Sequence, residues 1–271
     1  MKPTLSLSSP HNPRVKQAIA LRERRERDET GCFLIEGYRE LLRALEGGWH
    51  VEELFFAETL FLGENERPLL EQVAKQGGQL IACTESLFHK LSYRDRPDGL
   101  VGVSWQKKWG LKECLQYVQG SQNPFLLVAE AIEKPGNLGT ILRSMDAVGA
   151  DALILADPCT DLYNPNLIRA SVGTRFTMPC FTGTSEETLA FLKQQKIPIC
   201  AATPRAAIPY TEGNFQGAIA IAVGTEQLGL TDTWLQAAEE KVRIPMKGAA
   251  DSLNVAMAAT LLLYEVRRQR G

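Results

Sequence analysis

Two patterns of apolar residues divide the chain near residue 120. Before that point, short apolar runs alternate with amphipathic stretches, whereas after it the apolar runs are nearly continuous and alternate with helical patterns. Continuous apolar strands are typical of a parallel sheet that helices cover on both faces. The pattern therefore predicts a smaller α/β unit followed by a larger α/β unit built on a parallel sheet.

The amino-terminal pattern begins with a helix. Val15, Ala18 and Ile19 recur at helical spacing within residues 11–27, so the charged residues between them are expected to face outward. Further along, apolar runs and their breakers predict the strands Cys32–Ile35, Val51–Phe56, Leu80–Ala82 and Leu100–Val103 and the helices Tyr38–Leu45 and Leu69–Lys75. We expect residues 1–104 to form the first domain.

The second domain is expected at residues 124–271, after a linker at 105–123 that contains the breaker sequence G-S-Q-N. Its predicted strands are Phe125–Ala129, Ala152–Leu155, Phe176–Cys180, Pro198–Ala202, Ala218–Val223 and Val242–Pro245. Its predicted helices are Leu138–Val148, Pro165–Ser171, Ser185–Gln195, Asp232–Ala238 and Ser252–Arg268. Such sheets bind ligands beyond the carboxyl ends of the strands, so the informative residues should follow strands directly.

Composition narrows the class of protein. The sequence has 271 residues with 30 Lys and Arg against 32 Asp and Glu, and its net charge of −2 excludes a globally basic nucleic-acid coat but not a local basic face. No apolar run approaches the ~18 residues of a membrane helix, and the amino terminus lacks the apolar core of a secretory signal. We therefore expect a cytoplasmic protein that does not associate with membranes.

Cysteine and histidine restrict the chemistry. The six cysteines include no C-x-x-C pair, which disfavours both a disulfide framework and a zinc site, so we expect no metal. The last histidine is His89, so the second domain has no imidazole for a Ser-His-Asp triad. It also lacks the G-x-G-x-x-G and G-x-x-x-x-G-K-[ST] loops that bind dinucleotides and nucleoside triphosphates.

Three segments that follow predicted strands carry candidate chemistry. The first, residues 133–149, opens a helix with Asn137 at the expected N-cap and Arg143 away from the buried stripe. A capping asparagine with a surface arginine explains this pattern, and so does a helix start that binds a phosphate-bearing substrate. In the second case Arg143 would present its planar guanidinium group to the phosphate.

The other two segments also have alternative explanations. Residues 218–230 form a buried strand that ends in glycine and presents Glu226, which predicts either a turn with a solvated carboxylate or a backbone that approaches a ligand closely. Residues 242–255 lead through Ser252, a natural N-cap, into a final helix that is apolar on two sides. A terminal helix of that kind indicates packing against a second subunit as well as its own sheet.

Together the three segments resemble the motifs of the SpoU (TrmH-like) RNA ribose 2′-O-methyltransferases of the SPOUT superfamily. The matching residues are N-x-G with an arginine six positions after Asn137, G-x-E at Gly224–Glu226, and I-P-M followed by S-L-N-V within Ile244–Val255. The resemblance covers residues 124–268 well. One position departs from the pattern, because Thr225 stands where asparagine is commonest.

The first domain resembles the small RNA substrate-binding domain that is common in this family. The residues that carry this resemblance are Asn12–Lys16 and Phe33–Gly37. The resemblance implies that the parallel-sheet domain holds a trefoil knot, that S-adenosylmethionine is the cofactor, and that the carboxy-terminal helix forms a homodimer interface. It also implies cofactor-binding loops at the residues Thr203, Gly224, Ile244, Met246 and Leu253.

The resemblance further implies the catalytic residues Asn137, Arg143, Glu226, Ser252 and Asn254. We expect Arg143 to grip the phosphate beside the target ribose and to stabilise the 2′-alkoxide, because a guanidinium group stays protonated and is a poor base. Asn137 is expected to orient Arg143 or the ribose, and Glu226 to hold or neutralise that group. Ser252 and Asn254 are expected to complete the pocket.

The resemblance implies RNA as substrate, because the chemistry requires a 2′-hydroxyl group. Large-subunit ribosomal RNA is favoured over transfer RNA, and a base methyltransferase or a non-catalytic RNA-binding protein remain alternatives. Six basic residues of the first helix are expected to contact the RNA backbone, namely Arg14, Lys16, Arg22, Arg24, Arg25 and Arg27. A solvated helix face is the alternative explanation for these charges.

Overall fold

The computed structural model describes residues 3–271. In chain order its strands are β1 (Leu5–Leu7), β2 (Cys32–Glu36), β3 (Val51–Phe56), β4 (Gln79–Cys83), β5 (Leu100–Trp105), β6 (Phe125–Glu130), β7 (Ala152–Ala156), β8 (Cys180–Gly183), β9 (Ile199–Ala202), β10 (Ile208–Pro209), β11 (Ile219–Val223) and β12 (Glu240–Arg243). Its helices are α1 (Pro13–Ala20), α2 (Arg24–Thr30), α3 (Tyr38–Glu46), α4 (Glu66–Lys75), α5 (Glu85–Leu91), α6 (Leu111–Gln119), α7 (Pro135–Val148), α8 (Pro165–Ser171), α9 (Ser185–Gln194), α10 (Asp232–Ala237) and α11 (Val255–Arg270). Short 3-10 helices lie at Glu58–Leu60, Thr174–Phe176 and Tyr210–Glu212.

These elements form two compact units. The first unit contains the chain up to Lys107 together with Asp161–Thr177, and the second contains Lys108–Thr160 and Met178–Gly271. The segment Asp161–Thr177 thus packs with the first unit, although the predicted boundary would place it in the second. The apolar side chains of this segment explain the difference, because they share a buried cluster with residues of β2, β3 and α3.

The first unit is built on a mixed sheet with the strand order β1-β4-β3-β5-β2. β1, β4 and β3 are parallel, and β5 runs antiparallel to both β3 and β2. The structure corrects the single helix predicted over residues 11–27. That stretch forms α1 and α2, with Leu21 as the C-cap of the first helix and Glu23 as the N-cap of the second.

The second unit is built on a sheet with the order β10-β12-β9-β11-β6-β7-β8, in which every strand pair is parallel. This confirms the parallel sheet that the continuous apolar runs predict. α6, α9 and α10 form one packed group, whereas α11 packs against α7 and β11. Within residues 3–271, no helix has the length and apolar character that crossing a membrane requires.

One predicted strand is wrong in its position. The apolar run Phe176–Cys180 predicts a strand, but β8 begins at Cys180 and the residues Thr174–Phe176 form a 3-10 helix. Phe176 is buried in the aromatic cluster of the first unit, where it stacks on Phe33. A short apolar run does not distinguish a strand from a buried turn. Here the packing of Phe176 against the aromatic side chains of the first unit favours the turn.

Candidate active site

The three segments with candidate chemistry leave one edge of the parallel sheet. They follow β6, β11 and β12, and β11 pairs directly with β6, so that Val223 lies opposite Ala129. β9 joins β11 to β12 on the other side. Because the carboxyl ends of parallel strands meet at the same edge, the three segments converge there.

The first segment leaves β6 through a left-handed residue. Ala131 has a φ of 50°, which is unfavourable for a residue other than glycine and is common near functional sites. Lys134 is the N-cap of α7, Pro135 follows as its first residue, and Asn137 is the third. The prediction that Asn137 caps this helix is therefore wrong. Its side chain does not cap the helix. The Nδ2 atom donates a hydrogen bond to Glu226 of the second segment instead.

The second segment turns sharply between two glycines. A Cβ atom at Gly224 would collide with the carbonyl group of Gly229, and Gly229 itself has a φ of 70°. The hydroxyl of Thr225 accepts a hydrogen bond from the Leu228 backbone N–H at 3.1 Å. Thr225 thus fixes the turn with its own side chain, which explains why it can stand where asparagine is commonest. The turn presents Glu226 to the other two segments.

The third segment ends at Asn254, the N-cap of α11. Its Oδ1 atom accepts a hydrogen bond from the backbone N–H of Ala256 at 3.0 Å. The predicted helix start at Ser252 is therefore wrong by three residues, because Asn254 provides the cap. Ser252 lies in the preceding loop and is exposed. The amide nitrogen of Asn254 remains available and contacts the first two segments.

These residues form one closed cluster. The Oε1 atom of Glu226 accepts hydrogen bonds from Nδ2 of Asn137 and from Nδ2 of Asn254, each at 2.6 Å. The Nδ2 atom of Asn254 is also 3.1 Å from Oδ1 of Asn137. The Oε2 atom of Glu226 forms an ion pair with Nζ of Lys134 at 2.5 Å. Both carboxylate oxygens and both amide groups therefore have partners, and the cluster joins the three segments.

The ion pair sets the charges of the cluster. The hydrogen bond from Lys134 is the main cause that lowers the pKa of Glu226, and it outweighs the opposing effect of burial. The same hydrogen bond raises the pKa of Lys134. At neutral pH the carboxylate is thus ionised and the lysine is protonated. Glu226 is therefore a poor proton donor and acceptor, and it is well suited to hold the two asparagines.

Lys134 belongs to this cluster, although its sequence context predicts no role for it. Its side chain is 69% exposed, and a lysine beside a proline normally indicates a solvated surface. The available signal was its position, because it precedes Asn137 by three residues in the same first motif. Residues three apart at a helix start lie on one side, so both can reach the same carboxylate.

Two of the predicted catalytic residues lie apart from the cluster. Arg143 is exposed on α7, and within residues 3–271 it forms no hydrogen bond or ion pair. Of the two roles expected of Asn137, the described chain lacks the contact with Arg143, since Asn137 bonds Glu226 and Asn254. Its contact with the ribose stays a prediction. Arg143 and Ser252 are both accessible to a substrate.

The predicted cofactor loops leave the same edge of the sheet. Thr203 follows β9, and its backbone N–H donates to the Val242 carbonyl oxygen of β12 at 3.0 Å. The loop after β12 presents the half-buried apolar side chains Ile244, Met246 and Leu253. An adenosyl group needs apolar contacts together with backbone donors and acceptors, and these loops offer both, as does the glycine turn at Gly224. The residues present therefore fit S-adenosylmethionine.

The structure contradicts the expected RNA contact of Arg27 and gives Arg22 a structural role, while the contact of Arg22 with RNA stays a prediction. Arg27 is 1% exposed and forms an ion pair with Asp161 at 2.6 Å, so it is not accessible to a nucleic acid. One Arg22 nitrogen donates to the carbonyl oxygens of three residues at the end of α5, Lys90, Leu91 and Ser92. Both arginines hold the first unit together.

The other four basic residues remain at the surface. Arg14 is half-exposed and pairs with Glu53, Arg24 and Arg25 pair with carboxylates four residues along α2, and Lys16 is exposed. Their contact with RNA stays a prediction. Within residues 3–271, no group of three or more His, Cys, Asp or Glu side chains is arranged to hold a metal ion.

The sequence matches two known families along its length. The SpoU rRNA Methylase family matches residues 124–264, which is more than half of the chain. The MRM3-like substrate binding domain matches residues 12–102. The first match contains all three strand-end segments, and the second contains the part that resembles an RNA substrate-binding domain.

Individual proteins match over almost the whole chain. The 23S rRNA (guanosine(2553)-2′-O)-methyltransferase RlmP of Bacillus subtilis is 27% identical over 96% of this chain and 98% of its own. A crystal structure of an RNA 2′-O ribose methyltransferase is 41% identical with a TM-score of 0.81, covering 98% of this chain and 99% of that one. The AdoMet-bound rRNA methyltransferase from Sinorhizobium meliloti is 28% identical with a TM-score of 0.87, covering 97% and 98%. The chain belongs to the SpoU rRNA methylase family.

Proposed function

We propose that this protein transfers a methyl group from S-adenosylmethionine to a ribose 2′-hydroxyl of large-subunit ribosomal RNA. The observation that carries the proposal is the closed cluster of Lys134, Asn137, Glu226 and Asn254, which joins the three motif segments of the family at one edge of the sheet. The curated relative from Bacillus subtilis is named as a 23S rRNA 2′-O-methyltransferase, which favours ribosomal RNA over transfer RNA.

The bound cofactor supplies an electrophilic methyl group on a sulfonium centre. The loops at Thr203, at Gly224 and from Ile244 to Leu253 would hold it. The protein's own task is to place the ribose hydroxyl correctly and to lower the cost of its ionisation. Because the cluster around Glu226 satisfies its own hydrogen bonds, we assign to it the positioning of the three loops rather than proton transfer.

Arg143 is the residue that we assign to the activation of the ribose. It lies on α7 with its guanidinium group exposed and unpaired within the described chain, as a phosphate-binding arginine must be before RNA arrives. Its positive charge stabilises the 2′-alkoxide, while the proton leaves to a phosphate oxygen or to water. Ser252, which is exposed in the third loop, completes the contacts to the ribose.

We also propose that the protein is a homodimer that pairs through α11. Met257, Leu261 and Tyr264 are exposed on this helix at a spacing that forms one stripe. The hydroxyl of Ser144, the residue after Arg143, lies 2.6 Å from that of Thr260 on the same helix. The helix α7, which carries Arg143, therefore packs beside the helix that we assign to the interface. We further propose the trefoil knot of the superfamily for the second unit, and a cytoplasmic location for the protein.

The proposal is tested with methyl-labelled S-adenosylmethionine and unmodified ribosomal or transfer RNA, followed by alkaline hydrolysis. We expect the label in alkali-resistant dinucleotides of large-subunit ribosomal RNA, because a methylated 2′-oxygen cannot take part in strand cleavage. The same label in transfer RNA would change the substrate class. Label in ordinary mononucleotides would indicate base methylation. RNA binding without any transfer, to naked RNA or to ribosomal particles, would favour a non-catalytic RNA-binding protein.

A further inference from the structure

Two cationic side chains of the first unit contact the ring of Trp49. The Nζ atom of Lys107 is 4.3 Å from the ring centroid, and the Cζ atom of Arg175 is 5.4 Å from it. Arg175 also lies over the ring of Tyr163, with a distance of 5.1 Å from Cζ to the centroid. Such contacts are favourable because the face of an aromatic ring is negative, but they do not neutralise a full charge.

Arg175 is buried without the hydrogen bonds that a buried arginine normally has. The residue is 2% exposed, and its Nε and Nη1 atoms are buried with no hydrogen-bond partner in the described part of the chain. Arg27, which is as deeply buried in the same unit, donates to the Asp161 carboxylate and to the carbonyl oxygens of Leu21 and Arg22. A buried donor without an acceptor is unfavourable. A gain in folding stability therefore does not explain why Arg175 is buried here.

Backbone contacts fix the rings and the cations to one another. The Nε1 atom of Trp49 donates to the carbonyl oxygen of Phe176, the residue after Arg175, at 3.0 Å. The hydroxyl of Tyr163 accepts from the backbone N–H of Lys107 at 2.7 Å and donates to the Lys107 carbonyl oxygen. The two positive charges are therefore held close together by the fold. Burial, followed by the charge of Arg175, lowers the pKa of Lys107.

The group reaches solvent at Gly48. The Nζ atom of Lys107 donates to the Gly48 carbonyl oxygen at 3.2 Å in an exposed position. Gly48 has a φ of 70°, and no atom lies within 4 Å of the place where its Cβ would be. An anion can therefore approach the ammonium group through open space over Gly48.

We propose that Lys107 and Arg175 form an anion site that takes a backbone phosphate of the substrate RNA. Lys107 contacts the phosphate directly, and Arg175 supplies a second positive charge behind it. The bound phosphate reduces the repulsion between the two cations, because cation–π contacts do not neutralise a full charge. This inference rests on the proposed function, because that function supplies RNA as the anion.

The test compares RNA binding by the 271-residue wild type with that by K107M, R175M and K108M. The probe is a transcript of large-subunit ribosomal RNA, and binding is measured at several KCl concentrations. We expect K107M and R175M to bind about three- to tenfold more weakly and to reduce the salt dependence by about one phosphate contact. K108M is the matched control, because it removes the same charge from the adjacent exposed position. Its affinity should stay close to that of the wild type.

Thermal unfolding without RNA separates binding from folding. R175M should unfold at the same temperature as the wild type or higher, because it removes an unpartnered buried charge. R175K, which keeps the charge, should retain most of the RNA affinity. A lower unfolding temperature of R175M together with wild-type RNA affinity would make Arg175 a structural residue and overturn the proposal.

Two further outcomes distinguish the sources of the phosphate and the proposals themselves. Stabilisation of the wild type but not of R175M by inorganic phosphate, with equal RNA affinity of all variants, would identify free phosphate and overturn the RNA assignment. Methyl transfer by the wild type is measured on the same transcript. If the wild type transfers the methyl group and K107M and R175M bind RNA as tightly as it does, only the anion site is overturned. If both variants bind RNA more weakly but the wild type transfers no methyl group, only the proposed function is overturned.

Discussion

Each unit contains one polar cluster, and the two clusters differ in whether their charged groups have hydrogen-bond partners. In the second unit, Glu226 binds two amides and one ammonium group, and each of those groups has a partner within the cluster or the adjacent helix. In the first unit, Arg175 is buried against aromatic rings with two nitrogens unpartnered in the described chain. A satisfied cluster fixes geometry, and an unsatisfied charge is available for a ligand.

The same distinction applies to the arginines of the protein. Arg27 is buried and fully paired, Arg175 is buried with unpartnered nitrogens, and Arg143 is exposed and unpaired within the described chain. Burial alone does not tell a structural arginine from a functional one. The presence of an acceptor inside the protein does, and this criterion can be tested by substitution.

The largest effect is expected for R143A. The variant loses the charge that we assign to the phosphate and to the developing alkoxide, so transfer should fall about 10³-fold. Because Arg143 is exposed and lies outside the cofactor loops, binding of S-adenosylmethionine should change by less than about twofold. Single-turnover transfer and isothermal titration measure the two quantities. A collapse of cofactor binding would show that Arg143 is structural. R143K separates planar recognition from charge, and we expect it to recover only part of the rate.

E226A should lower the transfer rate about 10²–10³-fold. Without the carboxylate, Asn137 and Asn254 lose their shared acceptor and Lys134 loses its ion-pair partner, so the three loops lose their common anchor. Single-turnover transfer rates at saturating cofactor and RNA give the effect.

E133A is the matched control for E226A. Glu133 is an exposed carboxylate next to Lys134, and its removal should leave the rate within about threefold of the wild type. Similar losses in both variants would mean that the negative charge of this region matters and that the cluster geometry does not.

R27M should destabilise the first unit by about 3–5 kcal/mol, because it leaves the Asp161 carboxylate, which is 10% exposed, without its ion-pair partner. R25M removes an exposed arginine that pairs with Glu29, and its effect should be about 0–1 kcal/mol. Chemical denaturation measures both. Together with R175M, which is expected to lose nothing, R27M tests the distinction between paired and unpaired buried arginines. Equal losses in R27M and R175M would remove that distinction.

The cluster around Glu226 was largely predictable because its members follow strands of a parallel sheet. Asn137, Glu226 and Asn254 lie far apart in the sequence, but the strand order brings the ends of β6, β11 and β12 to one edge. The motifs named three residues that the structure brings into contact, and they placed the surrounding elements only approximately. Asn254, and not Ser252, caps the last helix, because the cap is decided by backbone geometry that a run of polar residues leaves open.

The first unit was less predictable because its decisive contacts are distant in sequence. Arg27 appeared to be a surface charge on an amphipathic stretch, and its partner Asp161 lies 134 residues further along the chain. Arg175 lies in a segment whose apolar pattern suits a strand of the other sheet equally well. Periodicity indicates that a residue is buried, but it does not tell which cluster buries it.

N254D should reduce transfer about tenfold while it keeps the fold intact. The aspartate retains the oxygen that caps α11, but it replaces the donor to Glu226 with a second negative charge. That charge raises the pKa of Glu226, so the acid limb of the pH–rate profile should move to higher pH. N254A loses the cap as well, and it should cost about 1 kcal/mol in the free energy of unfolding. A loss of stability in N254D equal to that in N254A would mean that the two roles of Asn254 cannot be separated.

K134M should have the smallest effect, a loss of about two- to fivefold in transfer, because its ammonium group is exposed and screened by solvent. The direction of the pH dependence follows from the two pKa shifts. Glu226 has a lowered pKa, so the ion pair stabilises the cluster above the usual value of about 4.3 and loses this contribution as the pH falls through the lowered value. Lys134 has a raised pKa, so its contribution is complete below about 10.4 and disappears as the pH rises through the raised value.

Between about pH 5 and pH 10 the wild-type ion pair is therefore intact. In that range the pH–rate profile of K134M should run parallel to that of the wild type. As the pH falls below this range, K134M should lose its activity at a higher pH than the wild type does. The reason is that Glu226 in the variant lacks the lysine that keeps its carboxylate ionised. K193M removes an exposed lysine from α9 and should leave the profile unchanged. If the acid limb of K134M coincides with that of the wild type, the two asparagines alone hold Glu226 ionised. The closed cluster would then depend on amide hydrogen bonds rather than on charge. It would differ from the cationic group around Trp49 only in that its polar atoms have hydrogen-bond partners.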